Sequence, residues 1–372
     1  MVTVRHAGGS YPVVIEIGAI SQLPTVVAEW LPGRRIVAIT DRNVARAIDH
    51  DLKVPVLVIP PGEGSKTRRR WSDLTDQLLA LGFGRDSGLV AIGGGVVGDL
   101  AGFVAATFQR GVPYVQVPTS LLAMVDASVG GKTGVNTHHG KNLVGAFHPP
   151  VGVLIDPSAV RTLRSPHLRG GLVEAIKHGI VADAAYLDWI DAHQTRLLAR
   201  DPEILRQLVR RSVEIKATIV GADEREGGRR AILNAGHTIG HALEWVSGYR
   251  RSHGDAIALG LVIEARIATR LDLVPAGAAA AMAERFAGLG VPLDLPAAGE
   301  DDGLIEAMTR DKKSRAGALR FALPRAPGAL IGLPEWTTEV PVNVVRQALG
   351  DHRAAPQPPF STPFPHPDTT KE

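Results

Sequence analysis

The sequence predicts an α/β N-terminal nucleotide-binding domain with a parallel sheet, followed by an all-helical C-terminal domain, with the active site in the interdomain cleft. Three observations lead there. Short β-branched runs alternate with helical stretches through residues 1–155, the mark of βαβ units. A glycine cluster, Gly93-Gly94-Gly95-Val96-Val97-Gly98-Asp99, joins one of those runs to a helical pattern over Leu100–Phe108. After about Asp156 the strands give way to consecutive helical patterns rich in Ala, Leu, Ile and Arg.

Taken in order, Ile36–Thr40 ends at Asp41, Val54–Ile59 at Pro60-Pro61, Leu89–Ile92 at Gly93, and Tyr114–Val117 at Pro118. Runs that are apolar on both faces belong to a sheet covered on both sides. Ligands of such sheets gather at the carboxyl ends of the strands. Residues 171–197, 202–222, 231–247, 254–271 and 276–289 read as successive helices, and Leu319–Leu323 as a short strand. From Asp351 the chain holds six prolines in 22 residues with few aliphatics, which predicts a disordered tail. The expected organisation is a first domain over 1–155, a helical domain over 156–350 and a tail over 351–372, without internal repeats.

Composition narrows the chemistry. Hydrophobic residues make up 45% of the 372 and charged residues 21%, so the chain can bury a large core. It has no cysteine, which excludes a disulfide scaffold, a thiolate nucleophile and a cysteine metal site; a transition metal would sit on histidine and carboxylate. Lys and Arg outnumber Asp and Glu by 41 to 38, and the Arg pairs are scattered among acids, a solvated surface rather than a nucleic-acid patch. The N-terminus lacks the apolar core of a signal peptide. The weakly polar stretch Ser87–Phe108 is broken by Asp99 and glycines, so it reads as strand, loop and helix rather than a membrane span. A cytoplasmic protein without nucleic-acid or membrane partners is expected.

The glycine cluster follows a strand and opens a helix, where backbone N–H groups and the helix dipole favour a pyrophosphate. Its spacing is not G-x-G-x-x-G, and a tight packing turn would also use glycine. Asp41, at a strand end, suits an adenosine ribose diol and would repel a 2′-phosphate, favouring NAD over NADP. It equally suits a helix N-cap before Asn43-Val44-Ala45. Pro61-Gly62-Glu63-Gly64-Ser65-Lys66 offers a carboxylate and an ammonium at another strand end.

His237-Thr238-Ile239-Gly240-His241 sets two imidazoles four apart on one helix face, with His253 before the next helix. Glu174 lies on an earlier helix with Lys177 one turn on. Two histidines and a carboxylate form a catalytic zinc arrangement that leaves a position open. Spacing alone leaves the pairing open, His237 with His241 or with His253. Cations and amides are dense besides: Arg110, Lys132, Lys141, Asn142, Lys216, Arg230, Asn234, Lys312 and Lys313. Gly130–Asn136 reads as an anion-cradling loop, but lacks phosphate-loop spacing.

The segments Gly93–Phe103, Val117–Phe147, Gly171–Gly179, Ile232–Glu244, His253–Gly260 and Asp311–Pro324 resemble the 3-dehydroquinate synthase family of sugar-phosphate cyclases, in the family's order. The resemblance implies NAD and a divalent metal, zinc or cobalt, and a small-molecule sugar-phosphate substrate. It also implies a homodimer. The implied reaction turns 3-deoxy-D-arabino-heptulosonate 7-phosphate into 3-dehydroquinate and phosphate. Its steps are transient oxidation, phosphate elimination, re-reduction and an intramolecular aldol closure. Matching motif to motif, the resemblance puts Glu174, His237 and His253 on the metal. It puts Lys132, Asn142, Asn234, His241, Arg110 and Lys312 (or Lys313) around the phosphate. Lys216 and Arg230 fall on the substrate carboxylate, and Asp126 and Lys177 on ring hydroxyls. Cofactor contacts fall on Asp41, Glu63, Lys66, Gly95, Val96, Val97, Gly98, Asp99, Thr119, Ser120, Lys132, Lys141 and Thr162. Three stretches depart from the family pattern: Ser120 replaces a second threonine, Thr162-Leu163-Arg164 replaces Thr-Leu-Pro, and Phe147-His148-Pro149 replaces Phe-Tyr-Gln. The alternatives are a cyclase of secondary metabolism, such as an aminodehydroquinate synthase, and a metal-dependent polyol dehydrogenase, which has little need for so many phosphate-facing cations.

Overall fold

The apolar runs of the first 155 residues become strands. These are β1 (Val2–His6), β2 (Gly9–Ile15), β3 (Arg35–Asp41), β4 (Val56–Ile59), β5 (Ser87–Gly93), β6 (Tyr114–Pro118), β7 (Lys132–Thr137), β8 (Gly140–Phe147) and β9 (Gly152–Ile155). Seven form one sheet in the order β1-β2-β9-β6-β5-β3-β4. All its pairings are parallel except β1 with β2. The computed structural model describes residues 1–48, 53–309, 319–326, 328–330 and 336–356.

Helices α1 (Leu23–Trp30), α2 (Arg42–Ala47), α3 (Arg68–Ala80) and α4 (Gly95–Thr107) accompany the sheet. Every residue of β5 is buried, because alternate side chains enter different cores. Leu89 and Ala91 pack with Leu74 and Leu78 of α3 and Leu100 and Val104 of α4. Val90 and Ile92 pack with Leu23 and Val27 of α1. Each such Leu, Ile or Val side chain contributes about 1.5–3 kcal/mol by leaving water. This two-sided burial is why the strand sequences show no polar alternation. The strand after β3 pairs outward, as β4, whereas the strand after β5 pairs on the other side, as β6. The direction of winding therefore reverses between β3 and β5, which is the topological switch point where α/β sheets bind ligands.

The segment expected as an anion-cradling loop is instead an antiparallel ribbon of β7 and β8. It docks on the turn after β4, where the Asn136 amide donates to the Lys66 carbonyl at 2.8 Å.

Beyond the sheet come α5 (Ser165–Ala182), α6 (Ala184–Ala192), α7 (Gln194–Leu198), α8 (Pro202–Ala222), α9 (His237–Val246), α10 (His253–Arg270), α11 (Ala278–Gly288), α12 (Asp301–Thr309) and α13 (Val342–Ala354). The helix expected over 171–197 is three: Asp183 ends α5 and caps α6, accepting from the Tyr186 amide at 3.0 Å. The one expected over 231–247 starts at His237, after a 3-10 turn over Arg229–Asn234. Leu319–Phe321 is a strand, paired antiparallel with Thr338–Val340. With a second small ribbon, Pro324–Ala326 with Ala329–Leu330, it makes the C-terminal part helix-rich rather than all-helical.

The chain divides into two units, Met1–Leu163 with Arg200–Glu224, and Arg164–Ala199 with the described residues of Arg225–Glu372. Helix α8, grouped by sequence with the helical domain, thus belongs with the sheet and packs on β1. The tail expected from Asp351 does not begin there, because α13 runs to Ala354. Arg270 bonds Asp351 at 2.7 Å, His352 Nε2 lies 2.7 Å from the Leu293 carbonyl, and Arg353 bonds Asp301 at 3.0 Å. Residues 357–372 lie outside the described residues. Among the described residues, no helix is long and apolar enough to cross a membrane.

Candidate active site

In the sheet unit, Asp41, the Gly95–Asp99 turn, Thr119 and Ser120 collect at the carboxyl edge. Asp41 ends β3 paired with Ile59 of β4, and Gly93 ends β5 paired with Pro118 of β6, so Thr119 and Ser120 follow beside the glycine cluster. Asp41 is an N-cap: its Oδ1 accepts from the amides of Asn43 at 2.8 Å and Val44 at 3.1 Å. Gly95, Val96, Val97, Gly98 and Asp99 form the first turn and a half of α4. Neither Gly94 nor Gly95 has a positive φ, so backbone conformation does not demand glycine. The missing side chains instead leave the N-terminus of α4 bare: a Cβ on Gly94 would come 3.3 Å from Ser120 Oγ.

Lys66 is buried and ion-paired with Asp99, and its Nζ also donates to the Asn142 side chain. Burial raises the Asp99 carboxyl above its ordinary value, and Lys66 opposes that rise. Glu63 accepts from the Asn136 side chain at 2.6 Å. A second pair joins Asp126 to Lys216 of α8, whose buried Nζ lies 2.7 Å from the carboxylate and 2.6 Å from the Asp126 carbonyl. Lys132 is exposed, Lys141 half-buried and Thr162 exposed at the end of a 3-10 turn. Arg110 is not brought to this edge. It follows the far end of α4, about 20 Å along the helix from Gly95 at 1.5 Å per residue.

The helix-rich unit contains the metal candidates. Glu174 is fully buried on α5, and its Oε1 lies 3.8 Å from His237 Nε2 and 3.5 Å from His253 Nε2. One donor atom from each of the three lies within 4.8 Å of the others. Tetrahedral zinc, with bonds of about 2.0–2.1 Å, places its ligand atoms about 3.3 Å apart. Both imidazoles are held from behind: His237 Nδ1 lies 3.0 Å from the Ala235 carbonyl, and His253 Nδ1 lies 3.4 Å from Glu244 Oε2. Such partners fix ring orientation and leave Nε2 for an ion.

Charge follows the same pattern. Burial, then Lys177, pushes His237 well below its ordinary value. Burial also works against the His253 cation, but Glu174 and Glu244 outweigh it and lift that ring to about 9. Lys177 is buried against the other Glu174 oxygen. His241, Glu244 and His253 also lie close enough to share an ion, but His241 is exposed, its ring 5.2 Å from that of His237. The buried carboxylate and the two backed rings favour Glu174, His237 and His253.

Helix packing produces this convergence. Gly254, next to His253, lies so close to α5 that a Cβ there would fall 2.3 Å from the Gly170 Cα. Only glycine at that crossing lets α10 bring His253 up to Glu174. Nearby, the Asn234 side chain donates to Glu226 at 2.6 Å, and Arg230 is buried in the 3-10 turn before α9. Lys312 and Lys313 lie outside the described residues.

Residues 56–170 match the family described as 3-dehydroquinate synthase N-terminal, and residues 171–314 that described as 3-dehydroquinate synthase C-terminal. The chain belongs to the 3-dehydroquinate synthase family. It is 43% identical over 361 residues to the 3-dehydroquinate synthase of Xylella fastidiosa strain 9a5c, covering 92% of this chain and 90% of that one. Among solved structures it resembles a 2-deoxy-scyllo-inosose synthase in complex with carbaglucose-6-phosphate, NAD+ and Co2+. There the TM-score is 0.82 at 25% identity, over 94% of this chain and 99% of that one. It also resembles the 2-epi-5-epi-valiolone synthase of Streptomyces hygroscopicus subsp. jinggangensis 5008 with NAD+ and Zn2+ bound. The TM-score is 0.81 at 27% identity, over 95% and 99% of the two chains.

Two of the residues read from the sequence as departures from the family pattern occupy structural positions. His148 stacks on Tyr114 at 5.5 Å and reaches the Val112 carbonyl at 3.0 Å, so it serves packing. Arg164 precedes α5 with φ −63°, the value a proline would impose. Sequence reasoning did not single out Glu244. Its signal was its place one turn beyond His241 in a histidine-bearing helix, but nothing local shows that it backs His253 rather than facing solvent.

Proposed function

We propose that this member of the 3-dehydroquinate synthase family is a carbon–oxygen lyase that converts 3-deoxy-D-arabino-heptulosonate 7-phosphate to 3-dehydroquinate and phosphate, as a cytoplasmic homodimer. The observation that carries the reading is 43% identity to a 3-dehydroquinate synthase across nearly the whole chain. The cyclases of other products resemble it at 25% and 27%. The donor set of Glu174, His237 and His253 suits a divalent ion, zinc or cobalt, by ligand chemistry and spacing. The bare N-terminus of α4, beside Asp41 and the Lys66–Asp99 pair, suits the pyrophosphate and ribose of NAD. When bound, the two groups supply a reversible oxidation and a Lewis acid for the substrate's hydroxyls.

The chain's own residues bind and orient. Lys216 and Arg230 hold the substrate carboxylate, a role for which guanidinium geometry is suited. Lys132, Asn142, Asn234, His241 and one of Lys312 and Lys313 hold the phosphate, a set that leaves out Arg110 at the far end of α4. A fixed field of cations there stabilises charge as the phosphate departs, without reorganising at the moment of reaction. Asp126 and Lys177 contact ring hydroxyls and keep the substrate in its reacting orientation. Glu63, Lys66, Thr119, Ser120, Lys141 and Thr162 complete the dinucleotide site.

Purified protein with NAD and zinc, offered heptulosonate phosphate, sedoheptulose 7-phosphate and glucose 6-phosphate separately, tests the assignment by phosphate release. Release from the heptulosonate alone is expected. Release only from a sugar lacking a carboxylate assigns the chain to another cyclase.

A further inference from the structure

Helix α9 carries the metal-ligand candidate His237 at its first position, yet its N-cap is Gly236, which has no side chain to bond the first turn. In a capping box, a Glu or Gln at the third helical position turns back to the amide of the cap residue. Here that position is Ile239. The missing bond comes from another helix: Glu264 of α10 accepts from the Gly236 amide at 2.7 Å. Glu264 is fully buried. Gly236 sits in the left-handed region, at φ 77°. Gly260, one turn before Glu264, lies so close that a Cβ there would fall 2.1 Å from the Gly236 carbonyl oxygen. The Gly236 residue is thus held through its carbonyl side by the α10 backbone and through its amide by Glu264. The ring of His237 takes its orientation from the neighbouring Ala235 carbonyl, so displacement of this segment would turn Nε2 away from Glu174.

We infer that Glu264 is a positioning residue for His237, fixing the ligand through the hydrogen bond that it accepts from the Gly236 amide. The inference rests on the proposed metal centre. Burial pushes the Glu264 carboxyl up to about 8, with only the Gly236 bond opposing, so near neutral pH the group is largely the neutral acid. Its second oxygen, Oε1, is buried and has no hydrogen-bond partner among the described residues. A glutamine retains an acceptor of the same reach; methionine fills similar space without one.

The experiment measures the Co2+ dissociation constant by chelator competition, and the visible absorption of the Co2+-loaded protein, for wild type, Glu264→Gln, Glu264→Met and Glu264→Asp. Leu208→Ala, which opens a cavity in the sheet unit, serves as a control for general destabilisation. Loss of a residue that orients a metal ligand typically weakens binding about 10–100-fold. Glu264→Met is expected at the lower end of that range, about tenfold, with an altered cobalt spectrum; Glu264→Gln should stay within about threefold of wild type, with an unchanged spectrum. Should Glu264→Met fail to fold, Glu264→Asp decides, since its shorter arm withdraws the acceptor and should weaken binding. Wild-type affinity in whichever of these two variants decides, or equal weakening in Leu208→Ala, overturns the inference alone. Failure of the wild type to bind cobalt overturns the metal centre and the inference with it.

Discussion

Arg230 illustrates what single residues contribute. It is buried, and a guanidinium has the planar geometry that suits the proposed bidentate grip on a carboxylate. A charge-assisted hydrogen bond is worth about 1.5–3 kcal/mol, so Arg230→Ala should raise the KM for heptulosonate phosphate about tenfold or more while zinc content stays at the wild-type level. An unchanged KM removes the carboxylate clamp. Lys66 makes a different case, because its partner Asp99 is already raised by burial. Lys66→Met should weaken NAD binding in calorimetry and cost about 1–3 kcal/mol of stability through the partner left behind. Wild-type values for both would detach Lys66 from the cofactor edge. These residue types were legible because lysines in glycine-rich, apolar segments and clustered histidines are poorly explained as surface. Glu244 and Glu264 were not, since a glutamate in a helix carries no local mark of facing inward. Asp41 shows the remaining ambiguity: the structure gives it the cap, and the same carboxylate stands at the ribose end of the proposed dinucleotide site.

Among elements, the crossing of α5 and α10 depends on Gly254 and the crossing of α9 and α10 on Gly236. Gly254→Ala would gain helix propensity of about 1 kcal/mol at most. Against that, it drives a methyl into the Gly170 backbone, and overpacking of this kind typically costs about 1–3 kcal/mol. The variant should melt earlier and retain less zinc by elemental analysis; full zinc content would show that the crossing does not set the site. Glu264 gives the α9–α10 contact a pH dependence. Its folded carboxyl titrates near 8 against an ordinary 4.5, so between those values the folded state keeps a proton that the unfolded state releases. Stability therefore falls with rising pH by about 1.4 kcal/mol per unit from this group. In metal-free protein, the stability of Glu264→Gln relative to wild type should climb between pH 5 and 8 in urea unfolding. A constant difference would mean that Glu264 is ionised throughout. The strands β3 to β6 were legible because each is a continuous apolar run. The break at Gly236 was hidden inside a helical pattern, and α13 inside a proline-rich composition that starts in earnest only at Pro356.

For the whole molecule, the pattern of strands followed by helices was enough to anticipate a parallel sheet and a helix-rich remainder. It was not enough to show that the chain returns to the sheet unit for α8, because an amphipathic helix does not record which apolar surface it covers. Nor did motif order show that Arg110 stands at the opposite end of α4 from the glycines. In the proposed function, Glu174, His237 and His253 bind a divalent ion that serves a redox-neutral, phosphate-releasing cyclisation with NAD. The most direct measurement follows phosphate and NADH absorbance together on heptulosonate phosphate, in the presence and absence of a chelator, for wild type and Glu174→Gln. Phosphate should accumulate over many turnovers with no net NADH. It should stop on chelation, resume with zinc or cobalt, and be absent in the variant. Sustained release from chelated protein, or NADH accumulating in step with turnover, would contradict the claim.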